Sequence, residues 1–374
     1  MPRVLARLKN SYIDFFGFHT KRKLLVIESD DWGSIRMPSR ATLEHLQSVG
    51  DFPMSDPFLR NDCLENEQDI MALLDVLSSV SDGRGRNAVL TANYAVANPD
   101  FDHICPQDAK YVYEPFFRTY QKYYPQQNVL SCALEGFRSG CFFPQLHCRE
   151  HMNVNRWMRD LVAGKADTVL AFKNQMIGVG ASFSPENRFG YMDAFNGAFS
   201  CSYELDAIIN DAAALFKEAF GYVSKSFVPS CFVWDKRLEK SLLAQGVCGI
   251  QSGAFQYIPR DETTYRRRIH YTGERNKADQ IYTVRNCLYE PAYGRPVDEC
   301  VESCFFEICR AFKRGKPAII NSHRLNYVSS IDPDNAKRNL SGLRILLRKV
   351  KDFFPEVEFV NSEELLMIIK ERIG

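Results

Sequence analysis

Residues 24–34 read LLVIESDDWGS. An unbroken apolar run, Leu24 to Ile27, is the pattern of a strand buried on both faces, as in a parallel sheet covered by helices. Two adjacent carboxylates, Asp30 and Asp31, close the run, with Trp32 and Gly33 behind them. Carboxylates at the end of a buried strand are costly unless something positive compensates them. The stretch therefore asks for a cation at the strand's carboxyl end.

Apolar runs alternate with helical periodicity through the rest of the chain. A helix near 40–48, capped by Ser39 and stopped by Gly50, follows the first strand. NEQDIMALLDVLSSV (66–80) is helical, and GRGRN breaks it before AVLTAN (88–93). A helix near 127–139 leads into CFFPQLH (141–147), and the amphipathic helix 204–221 leads into KSFVPS. Helix 235–245 precedes VCGIQS, and QIYTVRNC (280–287) follows. Helix 298–314 precedes PAIINSH (317–323); helix 333–352 precedes VEFVN (357–361), where Asn361 and Glu364 form a capping box for a last helix. Seven or eight βα units argue for a parallel barrel over 1–374 as one domain, with an insertion at about 152–202. A doubly wound open sheet is the alternative. In such barrels the strands' carboxyl ends carry the chemistry.

Composition narrows the function. The chain has 374 residues, 45% hydrophobic and 25% charged, with a net charge of +1, which gives no bulk field for nucleic acid or an acidic membrane. YRRRIH (265–270) is a local basic patch, read as a solvated loop, with an acidic sugar or sugar phosphate as its other use. No run reaches the ~18 apolar residues of a membrane span. The start has no apolar leader core, and the 12 cysteines are scattered without a C-x-x-C pair. They read as reduced core thiols of a cytoplasmic protein. Nothing in the sequence bears on oligomeric state.

LHCREHMN (146–153) directly follows the third strand. His147 and His151, four apart, can aim both imidazoles at one point. With the carboxylate of Asp31 they make a three-ligand site with an open position, the pattern of a catalytic metal, zinc first among the divalent ions. Asp30 is then free to act as a base. His323 ends a later buried strand and suits a general acid. HCREH also matches the H-x-x-E-H peptidase signature, but Pro144 and a β-like approach argue against the continuous helix it needs. An iron oxygenase uses the same three ligand types but needs no second aspartate. A glycosidase needs carboxylates ~5–9 Å apart across a bond and leaves the histidines idle. A metal- or sugar-binding protein without turnover is also compatible with the spacing.

These residues resemble the polysaccharide deacetylase family, the NodB-homology carbohydrate esterases. ESDDWG looks like its Asp-Asp motif, HCREH like its H-x-x-x-H motif, and IINSHR like the strand that ends in its catalytic histidine. The resemblance implies a distorted (β/α)7 barrel that removes an acetyl group from an N- or O-acetylated sugar. It implies Asp30 as base, Asp31, His147 and His151 as metal ligands, and His323 as acid. The family's third motif usually carries Arg-x-Pro, the arginine orienting the catalytic aspartate, where this chain has Val228-Pro229-Ser230. Arg285, Arg324 or Arg149 could supply the arginine from another strand end. A backbone N–H near Ser230–Cys231 could serve the oxyanion. Trp32, Trp234, Tyr94 and Tyr327 lie near strand ends as sugar-stacking candidates.

Overall fold

The first strand, β1, spans Lys23–Trp32, and every residue after Lys23 is buried in this computed structural model, which describes residues 13, 15–50, 55–178, 189–197 and 202–373. Burial on both faces follows from its neighbours. In parallel register β1 pairs with β2 (Leu90–Ala95), and β2 with β3 (Phe142–Cys148). Next come β4 (Ser226–Phe227), β5 (Gly249–Ser252) and β6 (Ile281–Val284). The other edge of β1 carries β7 (Ala318–His323), with Asp30 directly beside His323.

The sheet closes at one seam. Val284 still pairs with β5, whereas Cys287–Leu288 pairs with β7. The Arg285 N–H donates to the Ser252 carbonyl, and the Asn286 N–H donates to that of Ile319. Consecutive residues thus bond the two opposite edges of the sheet, and among the described residues β1 to β7 form a (β/α)7 barrel, with Cys287–Leu288 at the seam and Val357–Phe359 paired to the start of β1. The expected strand 280–287 is split for this reason. An open doubly wound sheet would leave those edges apart.

Helices follow the strands close to their expected bounds, among them Arg40–Val49, Glu67–Ser78, Lys236–Ala244, Val297–Lys313 and Pro333–Phe353. Ser39 Oγ accepts the Thr42 N–H at 3.0 Å, and Asn361 and Glu364 bond reciprocally at 3.0 and 2.9 Å at the start of the last helix. YRRRIH is not a loop. Tyr265–Ile269 pairs antiparallel with Phe255–Pro259, a hairpin just beyond β5.

The segment expected as an insertion, about 152–202, lies partly outside the described residues. Its described part holds helices Val154–Val162 and Ala166–Lys173, and Arg156 ties it together through an ion pair to Asp193 at 2.6 Å. Most of the amino-terminal stretch read for a leader is also outside the described residues. Among the described residues every cysteine is free, and no helix is long and apolar enough to cross a membrane.

Candidate metal centre and active site

Side chains normally alternate faces along a strand, so adjacent aspartates should point apart. Here the β1–β2 register shifts between Ser29 and Trp32, and Asp31 adopts φ 76°. This bulge turns both Asp30 and Asp31 into one cavity. A left-handed non-glycine residue is strained, and aspartate is among the types that tolerate it best.

Asp31 meets the two histidines. Its Oδ1 lies 3.7 Å from His147 Nε2 and 3.3 Å from His151 Nε2, and all three residues are buried. His147 is in β3, and His151 follows in the bend beyond it, so no helix spans the pair. Glu150 bonds Arg149 instead of facing the cavity, which removes the base a zinc peptidase of the H-x-x-E-H type needs. The Nδ1 of His147 donates to the Val228 carbonyl at 2.6 Å, which leaves the Nε2 lone pair aimed at Asp31. Burial pushes His151 down to about 3, keeping its ring neutral, the form that ligates. Asp31 Oδ1 and His147 Nε2 are buried without a hydrogen-bond partner among the described residues. One ligand atom from each of the three residues falls within 4.8 Å of the others. Two imidazoles and a carboxylate with orphaned acceptor atoms fit a divalent transition metal.

Asp30 sits in a different environment. Arg285, at the barrel seam, donates to its Oδ2 at 2.6 Å and its Oδ1 at 2.7 Å, and Asn93 donates to Oδ1 at 2.8 Å. Burial alone would raise the Asp30 carboxyl, but the Arg285 guanidinium overrides it and holds the group at about 2. Arg285 also donates to Glu28 at 2.7 Å, so one guanidinium compensates two buried acids. Burial raises Glu28 despite that contact.

His323 completes the rim. Its Nε2 is 4.0 Å from Asp30 Oδ2, and its Nδ1 is 2.5 Å from Glu290 Oε1. Burial would lower its pKa, but Glu290 prevails and raises it to about 9. Glu290, in the segment after the seam, escaped the sequence reading; its only signal was an acid at a strand end, in CLYE. Arg36 escaped it as well; it lies 3.5 Å from Asp31 and 3.6 Å from Asp62.

Other expected residues take different places. Arg324 is fully buried and paired with Asp62 and Glu65, away from Asp30. Arg149 pairs with Glu150 and Asp211. Ser230 is sealed inside, and Cys231 and Phe232, with φ 54° and 56°, meet the cavity instead. Trp32 and Trp234 are completely buried, and so are Tyr94 and Tyr327. Trp32 packs edge-on to Phe142, and Trp234 stacks on His270, so neither ring presents a face to a sugar.

The Asp-Asp, H-x-x-x-H and late-histidine motifs therefore line one cavity at the carboxyl ends of β1, β3 and β7. The chain resembles the polysaccharide deacetylases. No family model matches the sequence, and no curated protein does. Solved structures do align with it. A candidate polysaccharide deacetylase from Mycobacterium smegmatis is 8% identical over 96% of this chain and 94% of its own, with a TM-score of 0.48. A peptidoglycan deacetylase from Bacillus subtilis is 11% identical over 94% of each chain, with a TM-score of 0.40. A carbohydrate esterase family 4 pseudoenzyme from Bacillus anthracis is 10% identical over 93% of this chain and 66% of its own, with a TM-score of 0.41.

Proposed function

We propose that this protein is a metal-dependent hydrolase that removes an acetyl group from an N- or O-acetylated sugar. One observation carries the reading: the orphaned Asp31–His147–His151 cluster lies beside an arginine-clamped aspartate and a glutamate-backed histidine. A divalent ion held by Asp31, His147 and His151 would polarise the acyl carbonyl and make water a better nucleophile. Asp30, ionised at neutral pH, takes the proton from the attacking water. His323, kept protonated by Glu290, gives its proton to the departing amine or alkoxide. Arg285 holds the base in place and fixes its charge. Free thiols throughout the described residues support a reducing, cytoplasmic setting.

A second reading, binding without turnover, draws on the Asp30 carboxylate itself. Three donors and a pKa of about 2 make it a weak base. A metal analysis followed by acetate release from N-acetyl and O-acetyl sugars separates the two. Stoichiometric metal with release that Asp30→Asn abolishes supports the hydrolase. Stoichiometric metal without release on any acetylated sugar supports the binding protein.

A further inference from the structure

The cavity over the metal cluster has about 230 Å³ of space, is partly open to solvent and is lined mainly by hydrocarbon. Its uncommitted polar lining is sparse. Asp30, Asp31, His147, His151 and His323 belong to the reaction centre, Asn321 already accepts from Arg285 at 2.7 Å, Asp56 accepts the Phe58 N–H at 2.9 Å, and Arg36 lies between Asp31 and Asp62. The remaining wall is largely Phe58, Leu59, Met176, Ile177, Met192 and Phe232. These groups adjoin the reacting atoms. Phe58 meets the His323 ring edge-on at 5.5 Å, and the Arg36 guanidinium beside Asp31 touches the Met192 sulfur and lies over Phe58.

A sugar ring placed here would strand its hydroxyls against methionine and isoleucine, at a cost for each unsatisfied group. An acetyl methyl would leave most of the space unfilled. A dry apolar cavity of about 150 Å³ is large enough for a benzene ring. Met176, Ile177 and Met192 belong to the segment between β3 and β4, so that excursion builds the wall. Met176 and Ile177 are themselves anchored in two separate hydrophobic clusters.

We infer that the site takes an acyl chain longer than acetyl, about four to six carbons, with the sugar or other polar leaving group directed out of the cavity. The inference rests on the proposed hydrolase reading for the position of the acyl carbonyl. It is tested by binding, so that its failure and the failure of that reading can be told apart.

Straight-chain hydroxamates from acetyl to hexanoyl, titrated calorimetrically into zinc-loaded protein, carry only the acyl side of a substrate. Affinity should rise roughly fourfold for each added methylene that is buried, up to the length the cavity admits. Met192→Trp and Leu59→Trp, each checked for retained metal and melting temperature, should flatten that rise. Affinity that is flat or falls beyond acetyl overturns the inference, as does a rise that neither filling variant reduces. Release of the free acid from sugars acylated with chains from acetyl to hexanoyl, measured in parallel, reports on the hydrolase reading whatever the chain length. Absence of release at every chain length, with a preserved affinity trend, would overturn the hydrolase and leave the acyl pocket standing.

Discussion

Asp30 and Asp31 share a backbone turn and differ in every partner, which makes their substitutions diagnostic. Asp31→Asn should abolish stoichiometric metal binding, because it removes the carboxylate from a three-ligand set. Asp30→Asn should keep the metal and lose turnover by on the order of 10²–10⁴-fold, the usual cost of a missing base. Metal analysis and initial rates on one preparation check both, and the opposite pattern would exchange their roles. As the proposed general acid, His323 should set the basic limb of the pH profile. A general acid works only while protonated, so activity should fall as pH rises through about 9. Glu290→Gln removes the main cause of the raised value and should move that limb down, toward or below the ordinary value of 6.5. Linkage carries the same sign for stability. The contribution from His323 is complete below 6.5 and is lost as pH climbs through about 9. An unmoved basic limb in Glu290→Gln would remove His323 from the proton-donor role.

The β1 bulge is the element on which the site depends. Asp31 at φ 76° is followed by Trp32, whose Nε1 donates to Ser29 at 3.0 Å, and by Gly33, also at φ 76°. A Cβ on Gly33 would sit 2.5 Å from the Ala95 carbonyl oxygen, and the Gly33 N–H donates to Glu65 at 2.9 Å. Gly33→Ala should therefore destabilise the protein by roughly 1–3 kcal/mol. It should also weaken metal affinity, since relief of the clash disturbs the bulge that carries Asp31. Denaturant unfolding and metal titration of the variant read the two effects separately. Normal affinity in a destabilised variant would mean that the bulge and the ligand geometry are independent.

At the scale of the whole molecule, the barrel closes where a buried arginine pairs with two buried acids. Arg285 is the first residue past β6, and its side chain spans Glu28 and Asp30 of β1 and Asn321 of β7. Arg285→Met leaves two buried acids without their cation, a change that typically costs about 3–5 kcal/mol. Urea unfolding should show that loss, and Glu28→Gln in the same background should recover part of it, because one uncompensated charge is gone. A stable Arg285→Met would mean that water or another donor replaces the guanidinium.

The sequence by itself determined what depends on local pattern. The alternation of apolar runs and helical periods carried the barrel class. The capping residues Ser39 and Asn361 marked helix starts that the structure reproduces. That Asp30, Asp31, His147, His151 and His323 meet at one barrel mouth was legible because short motifs put metal-ligand and acid–base residue types at strand ends. Only the tertiary structure decided what depends on approach from distant strands. Arg285, not Arg324, reaches Asp30, because the seam carries residue 285 to the mouth while Arg324 turns toward Asp62 and Glu65. The tryptophans near strand ends looked available to a sugar, yet aromatic neighbours cover both, since a large apolar ring gains most when it is buried. Glu290 left only an acid at a strand end and the apolar cavity wall left no local trace, because a partner or a pocket is defined by where several chain segments converge, not by the spacing within any one of them.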